Sequence, residues 1–409
     1  MARALISLAP WQRNVWALAL SVFVAFVGFQ FSGPFMPLYV RELGVTDPGR
    51  IAMWSGLIAA STPAISGVLG PLFGRLADRF GRKLMLIRSL AGFVVIMGIM
   101  GMVKSVEQLL LARVVMGLFA GFTPMAMALA STSAPRERVP MAIGVVQSAQ
   151  LMSSAIGPAA GGYVASHFGI RAAFFVTAGM CAVALVGLII LFHEVPVGVQ
   201  AGAPGEPRKP PPYLSMRRAF GYPNFVLIMI MLLVAQFIDR GLALLIPLQV
   251  AHMPGIEAIA ATSGAIISVA AVAATISANM AARLSRGVPS TQILKLALLI
   301  GSPLCAAMAL TQGWISLLLL RALVGLCLGC AITLAYALGA EVVPGEQRGA
   351  AFGWLALSVQ VGTAASPLVS GGLAALSLAG AFMMDGALAW LGAAVLLIGT
   401  RRLRRGAGQ

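Results

Sequence analysis

Leu109-Leu-Leu-Ala-Arg113-Val-Val-Met-Gly117-Leu-Phe-Ala-Gly121 returns further down the chain as Leu317-Leu-Leu-Leu-Arg321-Ala-Leu-Val-Gly325-Leu-Cys-Leu-Gly329, an offset of 208 residues. Each copy sets one arginine in an apolar run and follows it with glycines four and eight positions later. Ser55-Gly56 recurs as Ser263-Gly264 at the same offset, Pro158 answers to Pro367, and Gly161-Gly162 sits near the counterpart of Gly371-Gly372. The chain therefore reads as a duplicated half. In membrane proteins built this way, a pseudo-two-fold axis relates the halves and the pathway runs between them.

Working outward from the repeat, apolar runs of the length that crosses a ~30 Å hydrocarbon core fall at residues 14–40, 51–74, 84–103, 107–132, 139–166 and 170–192. A second set follows at 222–250, 258–282, 292–311, 314–340, 349–376 and 380–400. The composition agrees: 59% of residues are hydrophobic, 10% are charged, and the mean hydropathy is +0.94. A soluble domain carries about 25% charged residues. The fold class expected is an all-α membrane protein of twelve transmembrane helices arranged as two six-helix bundles. The first run follows Arg3 and Arg13 and is longer than a signal-peptide core, so it reads as a retained span.

The boundaries expected are a first bundle over residues 1–193, a polar linker over 194–221 and a second bundle with a basic tail over 222–409. Pro196, Pro204, Pro207 and the run Pro210-Pro211-Pro212 keep the linker from continuing a helix. Lysine and arginine resist translocation, so their placement gives orientation. With both termini cytoplasmic, 21 of the 28 fall inside; Arg41, Arg50, Lys104 and Arg171 fall outside, and Arg113, Arg240 and Arg321 within the membrane. The formal charge of +16 is then topology signal and attraction to anionic headgroups. Nucleic-acid binding is excluded, because the basic residues form no domain and have no aromatic interleaving. Cys181, Cys305, Cys327 and Cys330 all lie in apolar runs and read as helix-packing residues, with no disulfide and no metal site. There is no H-E-x-x-H, no nucleotide-binding loop and no paired catalytic carboxylates, so neither an enzyme nor ATP-driven transport is expected.

Three local motifs add detail. After the second run comes Gly74-Arg75-Leu-Ala-Asp78-Arg79-Phe-Gly81-Arg82-Lys83, whose glycines suit a tight turn and whose aspartate can pair with arginine. The fourth run carries Arg113 with Gly117 and Gly121. The fifth carries Ser153-Ser-Ala-Ile-Gly157-Pro158-Ala-Ala-Gly161-Gly162, where a proline bends the helix and the glycines permit close helix contact. Together these resemble the loop 2–3 signature, the fourth-span R-x-x-x-G and the antiporter motif of the major facilitator superfamily. Within it, they are similar to the twelve-span drug:proton antiporters of the MdtG multidrug-exporter type. The resemblance covers essentially the whole chain and is stronger in the first half. The second-half loop Ala282-Arg283-Leu-Ser-Arg286-Gly287 lacks the aspartate, and Ser153 stands where the antiporter motif has glycine.

The resemblance implies secondary export across the bacterial inner membrane, with two bundles rocking about a central site and Gly74, Asp78, Arg79, Gly81, Arg82 and Lys83 latching them on the cytoplasmic side. No cofactor is implied, the proton gradient being the driving force; the partners expected are a small-molecule substrate and the bilayer, around a functional monomer. Substrates open at this point are xenobiotics and a cell-made metabolite such as a siderophore; metabolite uptake and a transport-inactive sensor are the alternatives. Proton coupling needs an ionisable group inside the membrane. Asp239, Glu341 and Asp385 are the acids left once loop residues are set aside, and Asp239 is the expected proton carrier, tuned by Arg240 or Arg113. Gln30, Gln147, Gln150, Gln236, Arg321 and Gln360 are the expected cavity residues, with Phe26, Phe29, Phe31, Trp54, Phe237 and Trp354 as aromatic walls. The three intramembrane arginines against few acids point to neutral or acidic substrates.

Overall fold

A computed structural model describes residues 9–193, 222, 224–343 and 348–406. The linker expected at 194–221 lies outside the described residues. Among those described every regular element is helical, as the bilayer requires: a helix satisfies its backbone donors and acceptors internally, where no water is available to do so.

Twelve spans follow one another. The first is Pro10–Ser32 continued by Met36–Glu42, and the second to sixth are Pro48–Phe80, Arg82–Met102, Val106–Leu118 with Phe122–Ser133, Val139–Phe168 and Ile170–Leu191. The seventh to twelfth are Phe225–Ala251, Ile259–Leu284, Ser290–Met308, Trp314–Val342, Arg348–Leu376 and Leu378–Gly406. Eleven of them are long and apolar enough to cross a membrane by composition alone. The fifth falls below that level because Gln147, Gln150, four serines and its glycines dilute it. It packs instead against the first and eighth spans.

Two spans are interrupted, and the local sequence says why. Pro34 cannot continue the ladder of the first span, and a single 3₁₀ turn over Gly33–Phe35 takes its place. Gly121 breaks the fourth span at φ +104°, a left-handed backbone that glycine adopts without a Cβ penalty. Asp47 starts the second span by accepting the Arg50 N–H at 2.7 Å, an N-cap that satisfies one orphan donor.

The first half is held by an aromatic group, buried at Phe93 and partly buried at Phe26 and Phe29, in which Phe29 meets Phe93 edge-on at 4.8 Å and lies 5.8 Å from Phe26. Tyr39, fully buried, donates to the Met100 carbonyl at 2.6 Å. Phe26 and Phe29 are thus packing residues of the first bundle rather than cavity walls. The four cysteines are free, and no cluster of metal-ligating side chains occurs among the described residues.

Candidate functional site: a cavity between the two halves

The halves meet along two helix pairs, the second span on the eleventh and the fifth on the eighth. Close approach is confined to one end. A Cβ on Gly56 would collide with the Pro367 carbonyl and crowd Gly371, while one on Gly264 would collide with the Pro158 carbonyl and one on Gly162 with Ala260. The repeat explains the pairing, since Gly56 and Gly264 are 208-residue equivalents and each faces the proline of the opposite half. Hydrogen bonds seal this end, with the Ala159 N–H on Ser268 Oγ at 2.9 Å and the Ala261 N–H on Ser166 Oγ at 3.0 Å.

At the other end, near the Gly74–Lys83 loop, a Cβ on Gly70, Gly74, Gly144 or Gly353 would meet nothing within 4 Å. Arg82 donates to the Ala128 carbonyl and Lys83 to that of Phe192, both within the first half. Arg79 is exposed beside Phe80, and the side chain of Asp78 lies outside the described residues. The helices part here, and Arg82 and Lys83 bond within their own bundle.

Between the closed end and the parted one lies a cavity of about 580 Å³, within the range of drug-sized binding sites. Gln30, Thr62, Arg113, Asp239, Arg240, Arg321 and Gln360 line it, amid alanines of the eighth span and Pro34, Pro63 and Pro367. Gln147, Gln150 and Gln236 are absent from the lining. Gln147 is exposed, Gln236 is buried on the face that meets Gly362, and the Gln150 amide nitrogen is buried without a partner. Phe31, Trp54, Phe237 and Trp354 are likewise absent from it. Gln360 donates to Ser66 Oγ at 3.1 Å, tying the halves at mid-depth.

The centre of the site is an ion pair. Arg321 on the tenth span donates from Nη2 to Asp239 Oδ1 on the seventh at 2.8 Å, with the arginine side chain 4% exposed and the carboxylate 34%. Arg240, the neighbour expected to tune Asp239, lines the cavity beside it and acts on it through space without a direct bond; adjacent helical positions do not face one another. Arg113 has no acidic partner among the described residues. Its Nη2 reaches the Met36 sulfur at 3.5 Å and its Nε is buried unpaired. The repeat accounts for the difference, because the first-half equivalent of Asp239 is Phe31.

Ser153, Gly157 and Gly161 face the first span. The Ser153 hydroxyl donates to the Phe23 carbonyl at 3.0 Å, and side chains at Gly157 and Gly161 would strike Gln30 and the Phe31 backbone. Pro158 and Gly162 face the eighth span.

The major facilitator superfamily model matches residues 18–316 and 296–408. The chain belongs to that family. Within the major facilitator superfamily it is 33% identical over 372 residues to the multidrug resistance protein MdtG of Klebsiella pneumoniae, covering 89% of this chain and 88% of that one. It is 35% identical over 322 residues to MdtG of Salmonella dublin, covering 77% of each. Among solved structures, a bacterial homologue of the lysosomal transporter Spinster, described as inward-facing and unoccupied, superposes with a TM-score of 0.74 at 17% identity over 96% of both chains. The human organic anion transporter MFSD10 does so at 0.68 and 16% identity, over 95% of this chain and 100% of that one. At those identities the superpositions report the fold. As a major facilitator, the chain is a multi-pass membrane transporter of small molecules and not an enzyme.

A consequence of the ion pair can be measured directly. Arg321→Met is expected to lower stability by roughly 1.5–3 kcal/mol, the worth of a hydrogen bond to a charged group. The double variant with Asp239→Asn should then be less destabilised than the two single effects added together. Thermal unfolding in detergent checks this, and strict additivity would deny the coupling.

Proposed function

We propose that this chain is a proton-coupled exporter of the bacterial inner membrane that carries neutral or anionic organic compounds outward by alternating access. In this reading both termini are cytoplasmic, residues 1–193 and 222–409 are the two rocking bundles, and the monomer is the working unit. The observation that carries it is the charge of the cavity. Asp239 is the one acid among the lining residues, against Arg113, Arg240 and Arg321. A lipophilic cation would meet repulsion from Arg113 and Arg240, Arg321 being neutralised by Asp239, whereas an anionic group would find those two arginines available to it. Asp239, at the cavity edge and held by Arg321, is placed to exchange a proton with the water of whichever side is open. Similarity to the MdtG multidrug resistance proteins favours export of foreign compounds; a cell-made metabolite such as a siderophore fits the same cavity chemistry.

The test is flux in proteoliposomes with an imposed pH gradient, using carboxyfluorescein as the anionic probe and ethidium as the cationic one. Expected is carboxyfluorescein movement opposite to the proton flow, abolished by an ionophore that collapses the gradient, with ethidium little affected. Movement in the same direction as the protons would make the protein an importer. Flux indifferent to the gradient would remove proton coupling altogether.

A further inference from the structure

The seventh span carries a second acid-binding face that the cavity does not reach. Asp385, on the twelfth span, is 0% exposed, and neither of its carboxylate oxygens has a hydrogen-bond partner. It lies against Gly241, two residues beyond Asp239. A Cβ at Gly241 would sit 3.1 Å from Asp385 Oδ2, 2.7 Å from Ser370 Oγ and 3.0 Å from Ser366 Oγ. The absent side chain is what lets the twelfth and eleventh spans press these groups against the seventh. Ser370 Oγ is unpartnered as well, whereas Ser366 is committed to the Phe237 carbonyl.

Arg321 is the complementary group. One nitrogen holds Asp239, but its Nε and Nη1 are buried without partners, and Asp385 is within electrostatic range of it. A guanidinium has five donors in a fixed fork, and leaving them unused inside protein is costly. The charged and titratable groups around Asp385 are few: Arg321 from the tenth span and Cys305 from the ninth, with Asp239 joined to it through Arg321. The eleventh brings the two hydroxyls.

We propose that Asp385 is the second carboxyl of a two-acid site, sharing with Asp239 the single guanidinium of Arg321 and a single proton. In the conformation seen here the proton is on Asp385 and Arg321 is on Asp239. In the alternative the O–H bond of Asp385 breaks, an O–H bond forms on Asp239, and Arg321 moves to the Asp385 carboxylate. One proton and one guanidinium are conserved between two carboxylates, so the cluster stays neutral in both arrangements, which a low-dielectric interior demands. The proton faces the cavity only when it is on Asp239. On Asp385 it is shut away from both sides, so the resting transporter does not leak protons. This rests on the reading of Asp239 as the coupling acid and adds a positioning residue to it.

Infrared spectroscopy of the reconstituted full chain at neutral pH, in the stretching region of protonated carboxyls, tests the sharing without any substrate. Wild type should give a buried protonated-carboxyl band that Asp385→Asn abolishes and Asp385→Glu restores at a shifted position. The decisive variant is Asp239→Asn, with Asp239→Ser as a second in case the first fails to fold. With Asp239 gone Arg321 turns to Asp385, Asp385 ionises, and the band should vanish although Asp385 is intact. Adding Arg321→Gln to Asp239→Asn should bring it back. A band that persists in Asp239→Asn, or in Asp385→Asn, overturns the proposal. Failure of the underlying reading would look different: gradient-driven flux would survive Asp239→Asn whatever the band does.

Discussion

Asp239→Asn is expected to abolish transport driven by a pH gradient while leaving the protein folded and inserted. The substitution keeps the shape of the side chain and one acceptor oxygen, but turns the other oxygen into a donor and removes the one cavity-lining acid. Without it no group at the cavity edge can bind a proton on one side and release it on the other. Carboxyfluorescein accumulation against its gradient should fall to the level of protein-free vesicles. Exchange of dye between compartments at equal pH should continue, because Arg113, Arg240 and the closed-end contacts are untouched. Insertion should survive although Arg321 loses its partner. A bare arginine at helix mid-depth costs about 2.5–3.5 kcal/mol on insertion scales, and Asp385 stands close enough to offset part of that. Retention of gradient-driven accumulation in a correctly folded variant would transfer the coupling role to another group.

The twelve spans were legible because the bilayer imposes one length and one polarity on every segment that crosses it. The repeat made the two halves legible in the same way, since equivalent helices keep equivalent glycines and arginines. What one dimension could not give was depth along the pathway. Gln147 shares a helix face with the cavity-lining Leu151 and Ser154, four and seven positions on, but lies a turn beyond the cavity, and Gln150 sits at the edge of that face; Gln30 and Gln360, in the same compositional class, lie at the depth of the cavity. Partner choice was hidden for a related reason. Arg240 stands beside Asp239 in sequence without a direct bond to it, whereas Arg321, 82 residues away, makes the bond. Asp385, two turns inside a helix that begins at Leu378, is fully buried, which its position in the sequence does not reveal. The one signal that pointed inward was the absence of any other acid in the twelfth span, which is too thin to place a side chain.

Gly56→Leu and Gly264→Leu, singly and together, are expected to force open the end of the molecule that this conformation holds shut. Each glycine abuts the carbonyl of the proline in the opposite half, and a backbone carbonyl in a helix cannot swing aside as a flexible side chain can. Overpacking of this kind typically costs about 1–3 kcal/mol, which moves a two-state balance roughly 5- to 150-fold per site. The whole cost falls on one conformation, because these contacts exist only where the second and eighth spans touch the eleventh and fifth. Folding of each bundle should be unaffected. Spin labels at Thr46 and Leu376, both exposed at the closed end, should report a short distance in the parent protein and a longer one in either variant, longest in the double. Gly372→Leu is the control: it neighbours Gly371 on the same helix, but a Cβ there meets nothing within 4 Å. An unchanged label distance in both glycine variants would mean that the close contacts do not set the closed end. An opening in the Gly372 control as large as theirs would mean that any bulk on these helices suffices, and the proline carbonyls would lose their special place. Since alternating access requires each end to close in turn, a transporter that cannot seal this end should also lose gradient-driven accumulation, even with the Asp239–Arg321 pair intact.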